Sequence, residues 1–348
     1  MQAKTNPKLL FDFAGLQLFD NATVETNIII IAKDNNENST FAITVGEKSS
    51  NPLKNIEAFA LSNGIRMAFN SSEDWVILSP LEQSIKRKIE AVGTPLKDWD
   101  IRINYGIKTG FNNAFIINTG KRNEILANCQ TDEERQRTEE LIRPVLRGRD
   151  IKRYEFVDNG LFLLNTHNGV RDKYPRIDIN DFPAIKAHLD NYWDRISVRA
   201  DKGDTPYNLR NCAYLEDLIC PKIVWGEISD RSKFCYDEKG KYFCEATTFL
   251  MTGDISPFML CYLNSKLAEY LFSKIATRTG MGTTRWKKYK VEKLLVPKIS
   301  KDIESKVEEL YRQYKQSTNE KYLDEIDLIV YQLYGLNEEE IKIIEGTN

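Results

Sequence analysis

The sequence predicts an α+β fold: a small mixed β-sheet with long loops, backed by C-terminal helices. Short β-branched or aromatic runs between polar turns fill most of the chain as far as residue 253, among them "IRINYGIKTG", "LFLL", "KIVWGEI", "KFCYD" and "KYFCEATTFLM". From residue 254 apolar side chains recur at helical spacing instead. The third observation is charge, which is segregated along a chain whose net value is only −2.

The elements follow in order. "ATVETNIIIIAKD" holds a β-branched run fit for a buried strand, and "NNENS" is a polar turn into the strand "TFAITV". Residues 1–48 offer too few strands for a domain of their own. After the polar linker "GEKSSNPLKN" come "WVILSP" and a helix, "LEQSIKRKIEAVG", ended by Gly93. "NAFII" reads as a strand, "TDEERQRTEELIRPVL" as a helix capped by Asp132 or Thr131, and "DEKGK" as a turn. Ser256 or Asp254 caps the next helix, with Pro257 in its first turn and Leu260, Leu263, Leu267, Leu271 and Ile275 on one face. Ile303, Val307, Leu310 and Tyr314 mark a second stripe, and Ile326, Val330 and Leu333 a third that Gly335 stops. Asn337 and Glu340 have capping-box spacing for a last short helix. These stripes serve core packing. The expected organisation is 1–72, 73–300 and 301–348.

Composition narrows the functional classes. With 41% hydrophobic and 29% charged residues, the chain is of ordinary globular make-up, and no run approaches the ~18 apolar residues of a membrane helix. Six cysteines without a C-x-x-C pair, and only two histidines, argue against a zinc site or a disulfide framework and predict reduced thiols in the cytoplasm. His167 and His188 are isolated, which suits ordinary polar roles better than general-base chemistry. Neither a G-x-x-x-x-G-K-S/T loop nor a strand followed by G-x-G-x-x-G occurs. "DEKGK" superficially offers a nuclease-like Asp-Glu-Lys set, but adjacent residues of this kind suit a hairpin turn better.

Three segments collect cations. "RTGMGTTRWKKYK", residues 278–290, holds five Lys or Arg, two glycines and no acid. Around it, residues 274–298 carry eight bases against Glu292 alone, whereas residues 299–348 carry twelve acids against six bases. Segregation of this kind implies a positive face that can grip a polyanion. In this segment Arg278, Arg285, Lys287 and Lys288 are candidates for phosphate contacts, and Thr279, Thr283 and Thr284 for close approach to backbone or bases. Trp286 reads as a packing anchor rather than a base stacker. "YGIKTGFNNAFII" brackets Lys108 and Thr109 between Gly106 and Gly110 and continues into Asn112 and Asn113. A lysine there can hold phosphate, and an asparagine can pair bidentately with adenine in the major groove; a hairpin with polar tips is the plainer alternative. "IRPVLRGRDIKRYEF" adds Arg147, Arg149 and Lys152 around a turn at Gly148.

The ordered series "INYGIKTGFNNAFII", "IRPVLRGRDIKRY", "PKIVWGEIS", "PFMLCYLNSKLAEYLFSK", the glycine-threonine-arginine loop and "VEKLLVPKI" resembles the TaqI-like C-terminal specificity domain. That domain is the target-recognition part of N6-adenine DNA methyltransferases and of single-chain type IIG restriction-modification enzymes. The resemblance covers about 80 to 340, and the tail "EIDLIVYQLYGLNEEEIKIIE" is similar to the end of such proteins. It implies double-stranded DNA as partner, and a start, "LFDNATVETNIIII", that is a remnant of a methyltransferase α/β domain. In the family, catalysis uses a glycine-rich motif for S-adenosylmethionine and an Asn-Pro-Pro-Tyr motif for the extruded adenine. Neither occurs here, the only Asn-Pro pairs being "NPKL" and "NPLK".

The expectation is therefore a sequence-specific duplex-DNA recognition module, without cofactor or catalytic residues of its own. Its partner would be a methyltransferase catalytic domain that brings S-adenosylmethionine; no membrane is involved. The competing readings are a complete methyltransferase or nuclease, a protein-interaction module mimicking a specificity subunit in phage defence, and, more weakly, an RNA binder.

Overall fold

A computed structural model describes residues 5–13, 16, 18–19, 26–45, 54–69, 75–275 and 283–346. They divide into two compact units, the described residues of Met1–Ala91, Thr277–Thr283 and Leu336–Asn348 in one and those of Val92–Ala276 and Thr284–Gly335 in the other. Helices and strands mix in several small sheets, which makes the chain α+β as its sequence predicts.

The first unit is built on β1 (Asn6–Asp12), β2 (Asn27–Ala32), β3 (Thr40–Thr44) and β4 (Ile65–Met67), in the order β2-β1-β3-β4. β1 and β3 run parallel, and both faces of this central pair are covered. Phe11, Ile43 and Phe59 pack on one side, and Leu10, Ala42 and Phe69 on the other. α1 (Ile56–Asn63) is capped by the Asn55 side chain, and α2 (Pro80–Val92) ends where Gly93 begins the next strand. The C-terminal helix Glu338–Glu345 opens with the capping box of Asn337 and Glu340, and the Glu340 carboxylate also meets Ser84 (2.8 Å) and Lys88 (2.7 Å) on α2. The isoleucine run departs from expectation. Among the described residues it pairs only with β1, at the sheet edge, and Ile28, Ile29, Ile30 and Ile31 are 41–52% exposed on both faces. Four β-branched residues specify a strand but not what covers it.

The second unit begins with β5 (Gly93–Pro95) and β6 (Ile101–Tyr105), then α3 (Asn112–Phe115), β7 (Ile116–Asn118), α4 (Thr119–Ala127) and α5 (Asp132–Leu141). "NAFII" is thus a helical turn followed by a strand. "TEELIRPVL" also divides. Thr131 caps α5, which stops at Leu141, and Ile142–Leu146 form β8, because Pro144 cannot supply the amide a continuing helix needs. β9 (Leu161–Leu164), α6 (Pro183–Asp190) and α7 (Trp193–Ile196) follow. The chain continues through β10 (Lys222–Gly226), β11 (Ile228–Ser229), β12 (Phe234–Asp237), β13 (Phe243–Cys244) and β14 (Thr248–Gly253). An antiparallel sheet, β12-β10-β14-β6, and a mixed sheet, β13-β8-β9-β7, share one apolar core that includes Phe115, Leu164, Val224 and Leu250.

Helices α8 (Pro257–Leu263) and α9 (Lys266–Ile275) replace the single helix that the leucine stripe predicts. The break has a chemical cause. Asn264 turns its side chain to Phe234, accepting from its N–H (3.0 Å) and donating to its carbonyl (2.9 Å), so it ties the helix end to β12. β15 (Thr284–Arg285), α10 (Lys288–Val291) and β16 (Leu295–Pro297) then lead to α11 (Lys301–Ser317) and α12 (Lys321–Leu333). Gly335, at φ 61°, follows α12.

Asp327 of α12 caps the restart of the broken helix, accepting from the Lys266 amide at 3.0 Å while 3% exposed. Burial pushes its carboxyl up to about 6 from an ordinary 3.8. The folded value lies above the unfolded one, so the protonated form favours folding. That stability is complete below pH ~3.8 and is lost as pH rises through about 6. Asp327→Asn keeps the acceptor and removes the buried charge. The Lys266 ammonium, 3.9 Å away, offsets part of the penalty in the native protein. The variant is expected to gain about 2 kcal/mol near pH 7.5 and little near pH 4, read by urea unfolding at the two pH values.

Candidate nucleic-acid interface

The C-terminal ends of β6, β8, β10 and β13 and the start of β14 lie together, and the loops of interest leave the fold there. β6 delivers its loop against the 244–245 backbone, where Ile107 donates to the Cys244 carbonyl at 2.7 Å. At Gly106 the approach is so close that a Cβ would stand 2.1 Å from the Glu245 carbonyl oxygen. β8 delivers the Gly148 turn against the same connection. A Cβ on Gly148 would lie 2.8 Å from the Thr247 carbonyl oxygen, with Gly226 at the end of β10 directly beside it. From Gly226 the chain passes to Glu227, whose carbonyl accepts from Trp286 N at 2.7 Å and whose carboxylate pairs with Arg285 at 3.0 Å. β11 pairs with β15 alongside. Basic segments far apart in sequence therefore meet around residues 245–248.

A directed chain of hydrogen bonds joins two of them. Gly148 N donates to Thr247 Oγ1 (2.9 Å), and Thr247 donates through its amide (3.0 Å) and hydroxyl (2.6 Å) to Glu245 Oε2. Asn112 Nδ2 donates to the other carboxylate oxygen (3.2 Å). Thr109 Oγ1 donates to Asn112 Oδ1 (2.5 Å) and accepts from Phe111 N (3.2 Å). Thr109 and Glu245 are buried, whereas Asn112 is exposed at an open cleft of about 470 Å³ between Lys108, Gly110, Phe111 and Asp201.

The candidate residues differ in how available they are. Lys108 is exposed and lies over the Tyr105 ring at 5.9 Å; Asn113 is exposed on the first turn of α3. Arg147 is committed to the turn. Its guanidinium holds Asp150 through two bonds of 2.9 and 2.8 Å, and Asp150 also accepts from the Arg147 amide. Burial by itself would raise the Asp150 carboxyl, but these bonds outweigh it and hold the group below its ordinary value. Arg149 and Lys152 are not buried, and among the described residues they make no side-chain hydrogen bond or ion pair. Lys287 sits half-buried before α10, and Lys288 faces Glu292 at 3.7 Å. Thr283 and Thr284 are half-buried, while Arg278 and Thr279 lie outside the described residues. Trp286 is an anchor: 3% exposed, it stacks flat on Phe272 at 3.7 Å, and its carbonyl accepts from the Trp225 indole.

Sequence reasoning missed the acids. Glu245 and Glu227 lie in "FCEATT" and "WGEIS", where each is a lone carboxylate among strand residues. It also passed over Tyr105, which is 41% exposed and edge-on to Tyr214. Among the described residues no group of three His, Cys, Asp or Glu could hold a metal, and no helix is long and apolar enough to cross a membrane.

Residues 143–297 match the model of the TaqI-like C-terminal specificity domain. Over 282 residues the chain is 20% identical to the type II methyltransferase M.PaeR7I of Pseudomonas aeruginosa, a match covering 80% of this chain and 46% of that protein. The solved structure of the type IIL restriction-modification enzyme MmeI in complex with DNA shares the fold, with a TM-score of 0.57 at 12% identity over 97% of this chain and 44% of that one. The chain thus spans less than half the length of both relatives. The family match takes in the Gly148 turn, the 245–248 connection and the described residues 283–290, three of the parts brought together at this end of the fold. Residues 143–297 thus match the family that the ordered motifs resemble, the TaqI-like C-terminal specificity domain.

Proposed function

We propose that the chain reads a specific sequence in double-stranded DNA and holds it for an adenine-specific methyltransferase catalytic domain. The observation that carries this reading is the convergence of three basic loops on the 245–248 connection, one of them through Glu227, which pairs with Arg285 and donates its amide to the Thr247 carbonyl at 2.9 Å. Phosphate contacts from Lys108, Arg149, Lys152 and Lys287 would set register, while the amides of Asn112 and Asn113 supply the donor and acceptor pairs that base edges recognise. Residues 73–300 would carry this recognition. S-adenosylmethionine and adenine chemistry belong, in this reading, to the catalytic partner, since neither motif for them occurs here. The exposed isoleucine edge of β2 supports that division, being a strand apolar on both faces in a sheet whose central strands are covered on both faces.

The test is selection from a randomised duplex pool at about 150 mM salt, followed by competition titrations. One short sequence should be enriched, and each substituted base pair within it should cost about 1–3 kcal/mol. Equal binding to all duplexes would sink sequence reading. Salt-insensitive capture of a protein, with no DNA affinity, would favour the interaction-module reading instead.

A further inference from the structure

Glu245 is 6% exposed, and its carboxylate is met by donors on both oxygens: the Thr247 amide and hydroxyl on one, the Asn112 amide on the other. A carboxylate only accepts. The nitrogen end of the Asn112 amide must therefore face Glu245, and its oxygen end must face the Thr109 hydroxyl. The two ends of an asparagine amide are ordinarily interchangeable in shape, and here they are distinguished by chemistry alone. What remains on the exposed edge is one N–H and one lone pair, in a fixed order along the cleft.

We propose that Glu245 is a positioning residue for specificity: it fixes which way round the Asn112 amide presents its donor and acceptor, and so which base pair is accepted at one position of the target. This rests on the DNA-reading function proposed above. A base edge with acceptor and donor side by side, such as adenine N7 and N6, matches an amide in one orientation and opposes it in the other. The same carboxylate holds Thr247, whose hydroxyl accepts from Gly148 N, so the first loop and the Gly148 turn are set by one group.

Glu245→Gln turns the argument into a measurement. Glutamine has one acceptor oxygen, and the two Thr247 donors claim it. Its NH2 then meets the Asn112 NH2, donor against donor, and rotating the Asn112 amide by half a turn removes the conflict. Oδ1 would then accept from Gln, and Nδ2 would donate to the Thr109 hydroxyl, which has a second lone pair free. The order presented to DNA is reversed with almost no change in volume.

Duplex selection and competition titrations on the full chain, with Glu245→Gln and Asn112→Ala beside the parent, test this. Glu245→Gln should lose about 5- to 150-fold of discrimination at one base pair, or exchange the preferred base there. Preferences elsewhere and the salt dependence should be retained. Asn112→Ala should relax the same position, and the double variant should match Asn112→Ala alone. Unchanged preferences in Glu245→Gln, or an equal loss for every sequence, would overturn the role of Glu245 while leaving DNA reading intact. A parent without sequence preference overturns DNA reading itself. If Glu245→Gln yields no folded chain, Glu245→Asp, whose shorter carboxylate withdraws from the Asn112 amide while staying beside the Thr247 amide, must relax that position, and its failure to do so overturns the proposal.

Discussion

Alanine at Arg149, Lys152 and Lys287 together is expected to reduce the salt sensitivity of DNA binding by about 2.7 in the slope of log affinity against log salt, at roughly 0.9 for each phosphate no longer neutralised. Between 50 and 200 mM salt, the parent should then lose about 40-fold more affinity than the triple variant. The effect is largest at these three because, among the described residues, their side chains have no acid partner. Arg285 and Lys288 differ, since Glu227 at 3.0 Å and Glu292 at 3.7 Å already neutralise them. Each would have to exchange a carboxylate for a phosphate, so Arg285→Ala should flatten the slope by less than a full phosphate's worth. Arg147→Ala should act through stability instead, because it strips Asp150 of the bonds that offset its burial. Fluorescence-anisotropy titrations at four salt concentrations read all three cases. An unchanged slope in the triple variant, with folding intact, makes these segments solvated surface loops and nothing more.

The sequence made the local architecture legible and left the assembly hidden. Caps and stops were readable because each is decided within four residues: Thr131, Ser256 and Asn337 accept from amides three positions on, and Gly335 adopts a positive φ. Where a distant partner decides, local pattern misleads. The leucine stripe runs unbroken through 260–275, yet Asn264 prefers the backbone of Phe234 and splits the helix. The isoleucine run has the composition of a buried strand, but burial needs a second surface, and nothing in those residues specifies one. At the site, cations were visible as charge runs and two of the organising acids were not. Glu245 acquires its meaning only when the topology brings Asn112, Thr247 and Gly148 around it across as many as 133 residues.

Lys222→Met should destabilise the fold by about 3–5 kcal/mol, the largest loss we expect of a single substitution here. Lys222 is fully buried at the start of β10, and its ammonium meets Asp237 Oδ2 at 2.7 Å and the carbonyls of Leu218 and Cys220. Asp237, 4% exposed, in turn accepts from the amides of Lys241 (3.1 Å) and Tyr242 (2.9 Å), closing the "DEKGK" turn. This is why that segment is a hairpin: its aspartate is already committed to a lysine and two amides. Removing Lys222 strands a buried carboxylate. Adding Asp237→Asn to Lys222→Met should recover part of the loss, because the buried charge is gone and the amide oxygen still serves one of the two turn amides. The remainder measures the two carbonyls left without a donor and the turn amide that then faces an NH2, at about 1–3 kcal/mol each at most. Equilibrium urea unfolding of the two single variants and the double variant gives the coupling directly. Additive losses, with the double variant worse than either single one, would mean that the pair is not electrostatically coupled. β10 would then be held by its apolar neighbours Ile223, Val224 and Trp225 alone. Because β10 ends at Gly226, against which the Gly148 turn is packed, Lys222→Met should also weaken DNA binding at denaturant concentrations below the unfolding transition, and the double variant should restore it.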